Sequence, residues 1–482
     1  MDYKLILLAA IFVPSLGAFF LPLAGKFSPR LRNLLALVFV LTSFLCSLKL
    51  IPLALSGQAV TFSKTLCFGI NLIFVADSLA VFMALVSSFI GAVIIFYSFG
   101  YINHYEHQDE YYFIVTLFLG AMMGLVFSAN LIFLYLFWEI TAVACWRLIG
   151  FFREKQHVLK ADKALLVTVF GALVMLIGFI ALYQQTGSFD LPVIKEKLGH
   201  SYVSNWVLIL ILVGILSKSA TLPFHTWLPD AGVAPSPVTA LLHAAVLVKI
   251  GVYVFARLFI ATFNLEAFWY VVLPVIAAIS AIVSALAAFK ENDLKRLIAY
   301  STVSQIGFIF LGLATNNEIG IFAGLLYILM HGIAKAGLFL CAGIVEQNTK
   351  TKDITKLGGL IKTMPVTAIS FLLCAFSVMG IPPFGGFFSK YLIIMGPVRQ
   401  GHILIGFTFL IGAFLTVLYL LRAFTLVFLG DPAAFVAKEK SRGMVFSVAL
   451  LAFLSLAGGI FISFPSILAK SAVDQMMLGM LR

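Results

Sequence analysis

Apolar stretches, separated by short polar segments, follow one another along almost the whole chain. A helix needs about 20 apolar residues to cross the hydrocarbon core of a bilayer, so each stretch predicts one transmembrane helix. The pattern predicts an all-α polytopic membrane protein with about 14 transmembrane helices and no soluble domain. The first run lacks a clear small-residue cleavage site, so we expect it to remain as a helix. The predicted helices lie near residues 3–24, 30–53, 72–100, 111–128, 131–151, 161–184, 205–228, 236–259, 267–289, 294–314, 318–346, 366–395, 402–429 and 443–468.

Lysine and arginine are unequally distributed among the loops that join these helices. Loops after odd-numbered helices are basic, as at 26–32, 153–160, 290–296 and 350–362, whereas loops after even-numbered helices hold few cations. Because cytoplasmic loops carry an excess of Lys and Arg, the odd-to-even loops are predicted to be cytoplasmic. The sequence therefore predicts a multi-pass protein of the cytoplasmic (inner) membrane of a prokaryote, with both termini on the outer side.

The composition agrees with a membrane location and argues against several classes of function. Hydrophobic residues make up 62% of the chain and charged residues 11%, against about 25% charged in soluble domains. The net charge of +12 is explained by basic cytoplasmic loops, so we predict no nucleic-acid partner. The cysteines stand singly, without a CxxC pair, which argues against zinc, iron–sulfur or disulfide chemistry in this chain. They are Cys46, Cys67, Cys145, Cys341 and Cys374.

Two of the predicted helices are interrupted by proline close to a lysine. The seventh breaks at Pro223 with Lys218 just before it, and the twelfth breaks at Pro382 and Pro383 with Lys390 just after. Broken helices at membrane depth are tolerated only inside protein or along water, and paired breaks in corresponding positions point to a transport site.

The spacing of the two breaks also predicts an internal duplication. The seventh and twelfth helices are five positions apart, and this odd offset gives the two surrounding units opposite orientation in the membrane. We divide the chain accordingly into N-terminal helices 1–3 (1–110), a first inverted repeat of helices 4–8 (111–260), a second of helices 9–13 (261–430) and C-terminal helix 14 (431–482).

Ionisable residues lie inside several predicted helices. A charge at the bilayer centre costs about 2.5–3.5 kcal/mol on insertion scales, so it persists where a bundle interior or wet cavity receives it. A carboxylate that approaches or leaves a buried lysine changes the lysine's proton occupancy. An i, i+4 pair on one helix face suits proton transfer through side chains and water. The predicted proton-translocation residues are Glu139, Lys218, His243, Lys249, His331, Lys335 and Lys390.

Each of these residues also has a purely structural interpretation. Glu139 could be held neutral by burial or paired with Arg147, and Lys218 could extend to the interface. His243 could be a satisfied interior residue, and the pair formed by His331 and Lys335 could join helices together. Two polar clusters are not predicted to carry chemistry: residues 291–296 as interface anchors, and residues 104–110, for which a metal site is disfavoured.

Four segments together resemble the antiporter-like membrane subunits of respiratory complex I. They are LSKSATLPFHTWLPDAGVAPSPVTALLHAAVLVKIGVYVFAR, KENDLKRLIAYSTVSQIGFIFLGL, LMHGIAKAGLFLCAG and GIPPFGGFFSK. The same superfamily includes Mrp sodium/proton antiporter subunits and the membrane arms of energy-converting hydrogenases. The resemblance covers roughly residues 70–430 and implies about fourteen helices with two inverted five-helix repeats.

The resemblance also implies roles for the intramembrane residues. Glu139 and Lys218 match the coupled fifth-helix glutamate and seventh-helix lysine, and Lys390 matches the terminal residue of the twelfth helix. The remaining candidates match eighth-helix and eleventh-helix positions: His243, Lys249, His331 and Lys335. Arg147 stands where an uncharged residue is expected, close to Glu139.

The function implied is proton translocation by a subunit of a multi-subunit, redox-driven pump of the complex I or membrane-bound hydrogenase type. This chain carries no redox centre, so whether it belongs to an oxidoreductase is left open, and flavin, iron–sulfur or nickel–iron centres are expected only in partners. The partners implied are antiporter-like and small helical membrane subunits, a peripheral redox module and membrane lipids. The alternatives are an Mrp-type sodium/proton antiporter subunit, a stand-alone secondary transporter and a purely structural subunit.

Overall fold

The computed structural model describes residues 2–66, 69–431, 438–439 and 441–478. Helices dominate the fold, and one short antiparallel hairpin joins β1 (Val60–Thr65) to β2 (Asn71–Ala76). The helices are α1 (Tyr3–Gly17), α2 (Leu21–Phe27), α3 (Pro29–Leu55), α4 (Ser78–Tyr101), α5 (Gln108–Phe127), α6 (Leu131–Ile149), α7 (Lys155–Thr186), α8 (Leu191–Leu198), α9 (Asn205–Lys218), α10 (Trp227–Asp230), α11 (Ser236–Ala240), α12 (Leu247–Phe255), α13 (Trp269–Lys290), α14 (Leu294–Ala314), α15 (Glu318–Thr349), α16 (Pro365–Met379), α17 (Gly385–Arg399), α18 (Ile403–Phe424), α19 (Arg442–Ile460) and α20 (Ser463–Leu478).

The predicted polytopic helical architecture is confirmed. In the described part of the chain, twelve helices are long and apolar enough to cross a membrane, and they follow the order of the predicted segments. The two predicted segments without an uninterrupted helix are the seventh and the twelfth. The seventh begins with the short apolar helix α9 and the twelfth with α16.

The structure differs from the prediction at the third segment. Residues 72–76, predicted as the start of a helix, form strand β2 and pair with β1. Helix α4 starts only at Ser78, where the Asp77 side chain caps it by accepting a hydrogen bond from the Ala80 amide. A short apolar run does not distinguish a strand from a helix by its periodicity, which is why the boundary was wrong.

The last predicted segment is also divided. Helix α19 ends at Ile460, and a separate helix, α20, begins at Ser463, with Pro465 in its first turn, where proline is tolerated. The end of α19 packs on the interruption of the twelfth segment: a Cβ at Gly459 would lie 1.9 Å from the Pro383 carbonyl oxygen. Two helices therefore replace the single one predicted at 443–468.

The eighth segment forms the centre of the bundle. Every residue in its most apolar window is buried, and α14 and α15 beside it are 94% buried over theirs. By contrast, α3 is 28% buried over its most apolar window and exposes leucine and valine side chains. The ionisable residues His243 and Lys249 of the eighth segment therefore lie inside the bundle, away from its outward-facing surface.

Candidate functional site

The first interruption holds Lys218 inside the bundle. Lys218 is the last residue of α9, its side chain is fully buried, and its Nζ donates to the Trp138 carbonyl oxygen at 3.0 Å. The same ammonium lies 5.1 Å from the centroid of the Trp138 ring, a distance that favours a cation–π contact. The Trp227 indole satisfies a carbonyl group near the break by donating to Ser217 at 3.0 Å. Pro223 lies within this interruption, between α9 and α10.

Glu139 is the residue after Trp138, whose carbonyl group binds Lys218, but Glu139 itself does not bind Lys218. Glu139 follows Trp138 on α6, is half-buried, and its Oε1 has no hydrogen-bond partner among the described residues. The proposed structural alternative, a pair with Arg147, is not found. Arg147 instead binds Glu110 of α5, which also accepts from Arg153 at 2.7 Å. The carboxylate of Glu139 is therefore left available to influence Lys218.

The eighth segment carries an unpredicted irregularity at its histidine. The turn Leu241–Ala245 is π-helical and joins α11 to α12. His243 lies in this turn, fully buried, with neither ring nitrogen bonded to the described part of the chain, and its ring centroid is 4.4 Å from that of Phe339. π-Turns are rare and occur frequently at functional sites.

Lys249 connects the π-turn to α15. Its Nζ donates to the Ala244 carbonyl oxygen at 2.6 Å, and Ser87 of α4 donates to the next carbonyl at 3.2 Å. A Cβ at Gly332 would lie 3.5 Å from Lys249 Nζ and 3.2 Å from the Ala244 oxygen. Glycine therefore allows α15 to approach the ammonium closely, and His331 is the neighbouring residue.

The predicted pair on α15 lies within a buried hydrogen-bonded network. Lys335 Nζ donates to Ser301 Oγ at 2.6 Å and to the Ile298 carbonyl at 3.2 Å. Ser301 shares a 2.7 Å hydrogen bond with the hydroxyl of Tyr419, which in turn accepts from Gln305 Nε2 at 3.3 Å. This network links α14, α15 and α18.

Tyr327 connects this hydrogen-bonded network to the second helix interruption. The Tyr327 hydroxyl donates to Gln305 Oε1 at 2.7 Å, and the Tyr327 ring lies 5.8 Å from both the His331 ring and Lys390 Nζ. Lys390, on α17 just after the interruption that contains Pro382 and Pro383, is 3% exposed. Its ammonium faces the Phe308 ring at 4.5 Å and has no hydrogen-bond partner among the described residues.

The candidate site is therefore a series of ionisable groups that extends from α6 to α17 through the middle of the bundle. Sequence reasoning missed its uncharged members, Ser301, Gln305, Tyr327 and Tyr419. Tyr327 had a usable signal, because it precedes His331 and Lys335 at i, i+4 and i+8 on one helix face.

Metal ligation receives no support from the described ranges, where no group of three His, Cys, Asp or Glu residues could hold an ion. Four of the cysteines are free thiols there, and Cys67 lies outside these ranges.

Two family models match the sequence. Residues 128–416 match the model described as NADH:quinone oxidoreductase/Mrp antiporter, TM, and residues 64–112 match the model described as NADH-Ubiquinone oxidoreductase (complex I), chain 5 N-terminus. Among similar proteins, the Na(+)/H(+) antiporter subunit A1 of Staphylococcus aureus (strains bovine RF122 / ET3-1 and Newman) is 34% identical over 96% of this chain. The chain spans 62% of the length of these curated relatives.

Solved structures share the fold. A chain of the Mrp complex from Dietzia sp. DQ12-45-1b superposes with a TM-score of 0.90 at 23% identity, covering 98% of this chain and 97% of that one. A chain of the membrane-bound sulfane sulfur reductase, an archaeal respiratory membrane complex, gives a TM-score of 0.88 at 24% identity, with 98% of each chain covered. The chain belongs to the NADH:quinone oxidoreductase/Mrp antiporter transmembrane family and is one of its antiporter-like membrane subunits.

Proposed function

We propose that this chain translocates protons along its buried ionisable series as one subunit of a multi-subunit membrane complex. The observation that carries the proposal is the burial of four lysines, of which Lys218 and Lys390 flank the two helix interruptions and Lys249 and Lys335 lie on the helices between them. Intramembrane charges are costly, and they are retained where they serve an ion pathway. None of these lysines forms an ion pair with a carboxylate in the described residues, so a fixed salt bridge does not account for their presence.

In the proposed route, Glu139 controls the proton occupancy of Lys218 by moving toward or away from it. The proton then passes through His243 and Lys249 to α15, where His331 and Lys335 receive it. From there the hydroxyl and amide groups around Gln305 lead it toward Lys390. Side-chain hydroxyls can accept and donate a proton in turn, which suits the intervening positions.

The unsatisfied groups along the route support this proposal over a structural one. Both nitrogens of His243 and His331 and the Nζ of Lys390 lack partners among the described residues. A buried polar group without a partner costs about 1–3 kcal/mol, so polar residues that only joined helices would be expected to bond to one another.

The division into two inverted repeats, with domain boundaries at residues 110, 260 and 430, is part of the same proposal.

Translocation needs an external energy source, because moving one charge against 100 mV costs about 2.3 kcal/mol. Two sources are compatible with the family. The curated relatives are named as Na(+)/H(+) antiporter subunits, which supports sodium exchange. The fold is shared with a sulfane sulfur reductase complex, which supports a redox partner with its own cofactors. Both neighbours are membrane complexes, so we propose other membrane subunits as partners, in a prokaryotic cytoplasmic membrane with both termini outside.

The test uses the complex purified through a tag on this chain and reconstituted into liposomes. Lys218→Ala should abolish proton movement driven by a sodium gradient or by the redox substrate, while the exposed Lys64→Ala leaves it intact. Subunit composition is compared by mass spectrometry to establish equal assembly. Unchanged proton movement in an assembled Lys218→Ala complex would refute the proposal. The co-purified subunits and the effective driving reaction decide between sodium exchange and redox coupling.

A further inference from the structure

A cavity of about 420 Å³ opens at the end of the bundle that the loop charges predict to be cytoplasmic. Polar side chains form much of its wall, among them His104, Tyr105, Gln347 and Asn348. None of these residues belongs to the ionisable series described above. The cavity lies where α4, α15 and α19 meet.

A buried hydrogen-bonded chain begins beside this cavity. The ring of Tyr105, on the cavity wall, lies 5.8 Å from that of Tyr101, whose hydroxyl donates to Ser236 Oγ at 3.5 Å. Ser236 in turn donates to the carboxylate of Glu346 at 3.2 Å. Tyr101 and Ser236 are almost completely buried, so this chain leads from the cavity into the protein interior.

Glu346 ends the chain as a carboxylate near the end of α15. Lys295 Nζ binds it at 3.0 Å and also donates to the Ala234 carbonyl at 2.8 Å. The side chain of Glu346 keeps 28% of its exposure, whereas that of Lys295 keeps 2%. The carboxylate therefore remains partly accessible while its counter-ion is enclosed. Lys295 keeps a backbone acceptor when the carboxylate is neutral, so protonation of Glu346 does not leave an isolated cation.

Helix geometry connects this site to the predicted series. Ser236 and Thr239 lie one turn apart on α11, and His243 follows four residues later in the π-helical turn Leu241–Ala245. The Thr239 hydroxyl, which donates to the Ser236 carbonyl oxygen at 2.8 Å, lies on the part of the segment between Ser236 and His243. A Cβ at Gly343 would lie 2.5 Å from the Ser236 side chain and 2.8 Å from the Tyr97 hydroxyl, so α15 fits this face closely.

We propose that Glu346 is a proton-entry residue that takes protons from the cytoplasmic cavity and delivers them past Ser236 and Thr239 to His243. The inference rests on the proposed function and adds a lateral entry to it. In each cycle the Glu346 carboxylate accepts one proton and becomes a neutral acid. It then returns to the carboxylate as each hydroxyl accepts and donates one proton, and the His243 imidazole takes the proton at its free nitrogen.

The test measures proton uptake from the cytoplasmic face by the reconstituted complex. Glu346→Gln keeps the shape and an acceptor for Lys295 and Ser236 but cannot exchange a proton, and should lower the uptake rate by at least about tenfold. Glu346→Asp keeps a titratable group at the expense of geometry and should recover most of the rate. Glu318→Gln is the matched control, since it makes the same change at an exposed position of the same helix and should have no effect.

The outcomes separate this inference from the proposed function. Wild-type uptake in Glu346→Gln together with a loss in Lys218→Ala would overturn the entry route alone, whereas wild-type uptake in Lys218→Ala would overturn the proposed function. Loss in both Glu346→Gln and Glu346→Asp would assign the residue a structural role and would also overturn the entry route. If Glu346→Gln fails to assemble, Ser236→Ala replaces it and should slow uptake about fivefold, and an unchanged rate would count against the route.

Discussion

An ion pair between Asp77 and Arg257 lies at the end of the eighth segment that the loop charges predict to be on the outer side. Its contribution to stability can be separated from that of the Asp77 helix cap. Asp77 caps α4 by accepting from the Ala80 amide at 2.9 Å, and its carboxylate binds both terminal nitrogens of Arg257. Arg257 also donates to the Tyr253 hydroxyl at 2.9 Å, and that hydroxyl donates to the Val126 carbonyl. The side chains of the pair keep 21% and 12% of their exposure.

Two substitutions of Asp77 should separate its two roles. Asp77→Asn keeps an N-cap but leaves the Arg257 cation largely buried without an anion, which should cost about 3 kcal/mol of unfolding free energy. Asp77→Ala also removes the cap and should cost about 1 kcal/mol more. Adding Arg257→Met to Asp77→Asn removes the unpaired cation and should recover part of the loss, because much of that loss comes from the orphaned charge.

The loss of unfolding free energy in Asp77→Asn should depend on pH through the titration of the Asp77 carboxyl group. Burial alone would raise the pKa of Asp77, but the Arg257 guanidinium and the hydrogen bonds outweigh it and hold the pKa below its ordinary value. The stability that the Asp77 carboxylate contributes is therefore complete above its pKa in the unfolded chain, about 3.9. It is lost as the pH falls through the lower pKa that Asp77 has in the folded protein. The difference in unfolding free energy between wild type and Asp77→Asn should be constant from roughly pH 5 to pH 7, a range above the unfolded pKa. It should shrink only in stronger acid.

Unfolding titrations in mixed detergent micelles, followed by tryptophan fluorescence, measure these differences. An Asn variant as stable as wild type at neutral pH would show that the pair contributes nothing. Equal losses in the Asn and Ala variants would show that the cap has no separate effect, and a double variant no more stable than Asp77→Asn would refute the orphaned-charge explanation.

Three further results are expected. Tyr419→Phe removes the hydroxyl between Ser301 and Gln305 and should slow proton transport by the reconstituted complex several-fold without impairing assembly, and an unchanged rate would exclude this link from the route. Gly332→Ala should destabilise the complex by about 1–3 kcal/mol in thermal unfolding, because the new methyl group would lie 2.8 Å from Ile90 and 3.2 Å from the Ala244 oxygen; normal stability and transport would contradict this packing. Gly401→Ala is not a suitable control because of its positive φ, so Gly443→Ala, with nothing closer than 3.8 Å, serves instead and should be neutral.

Much of the architecture followed from the sequence because membrane helices obey one strong rule. Apolar length alone located the helices, and proline located both interruptions. The same rule failed at residues 72–76, where an apolar run too short to span forms a strand. It also gave no sign of the π-turn at Leu241–Ala245, which packs against α4 and α15, since no proline or glycine marks that position.

The site was harder to complete, because partners across helices are set by packing rather than by spacing. Lys295 was grouped with interface anchors because it belongs to the charged cluster 291–296 at the start of a predicted helix. In the structure the start of α14 lies beneath the loop before α11, so Lys295 turns inward to Glu346 and the Ala234 carbonyl. Spacing within one helix could identify Tyr327 beside His331, but only the fold brings Ser301 and Tyr419 to Lys335.

The groups that contact the ammonium of each of the four central lysines affect how readily that lysine can change its protonation state. Lys218, Lys249 and Lys335 donate to backbone carbonyl groups, and Lys390 faces aromatic rings. A carboxylate partner would fix each lysine in its charged form, whereas a carbonyl dipole or a ring stabilises the cation only modestly. A neutral amine can keep the same position beside a carbonyl, because it still has hydrogens to donate. In the proposed route, these surroundings would let each lysine gain or lose a proton while keeping its position, which is the property that a series of relay sites requires.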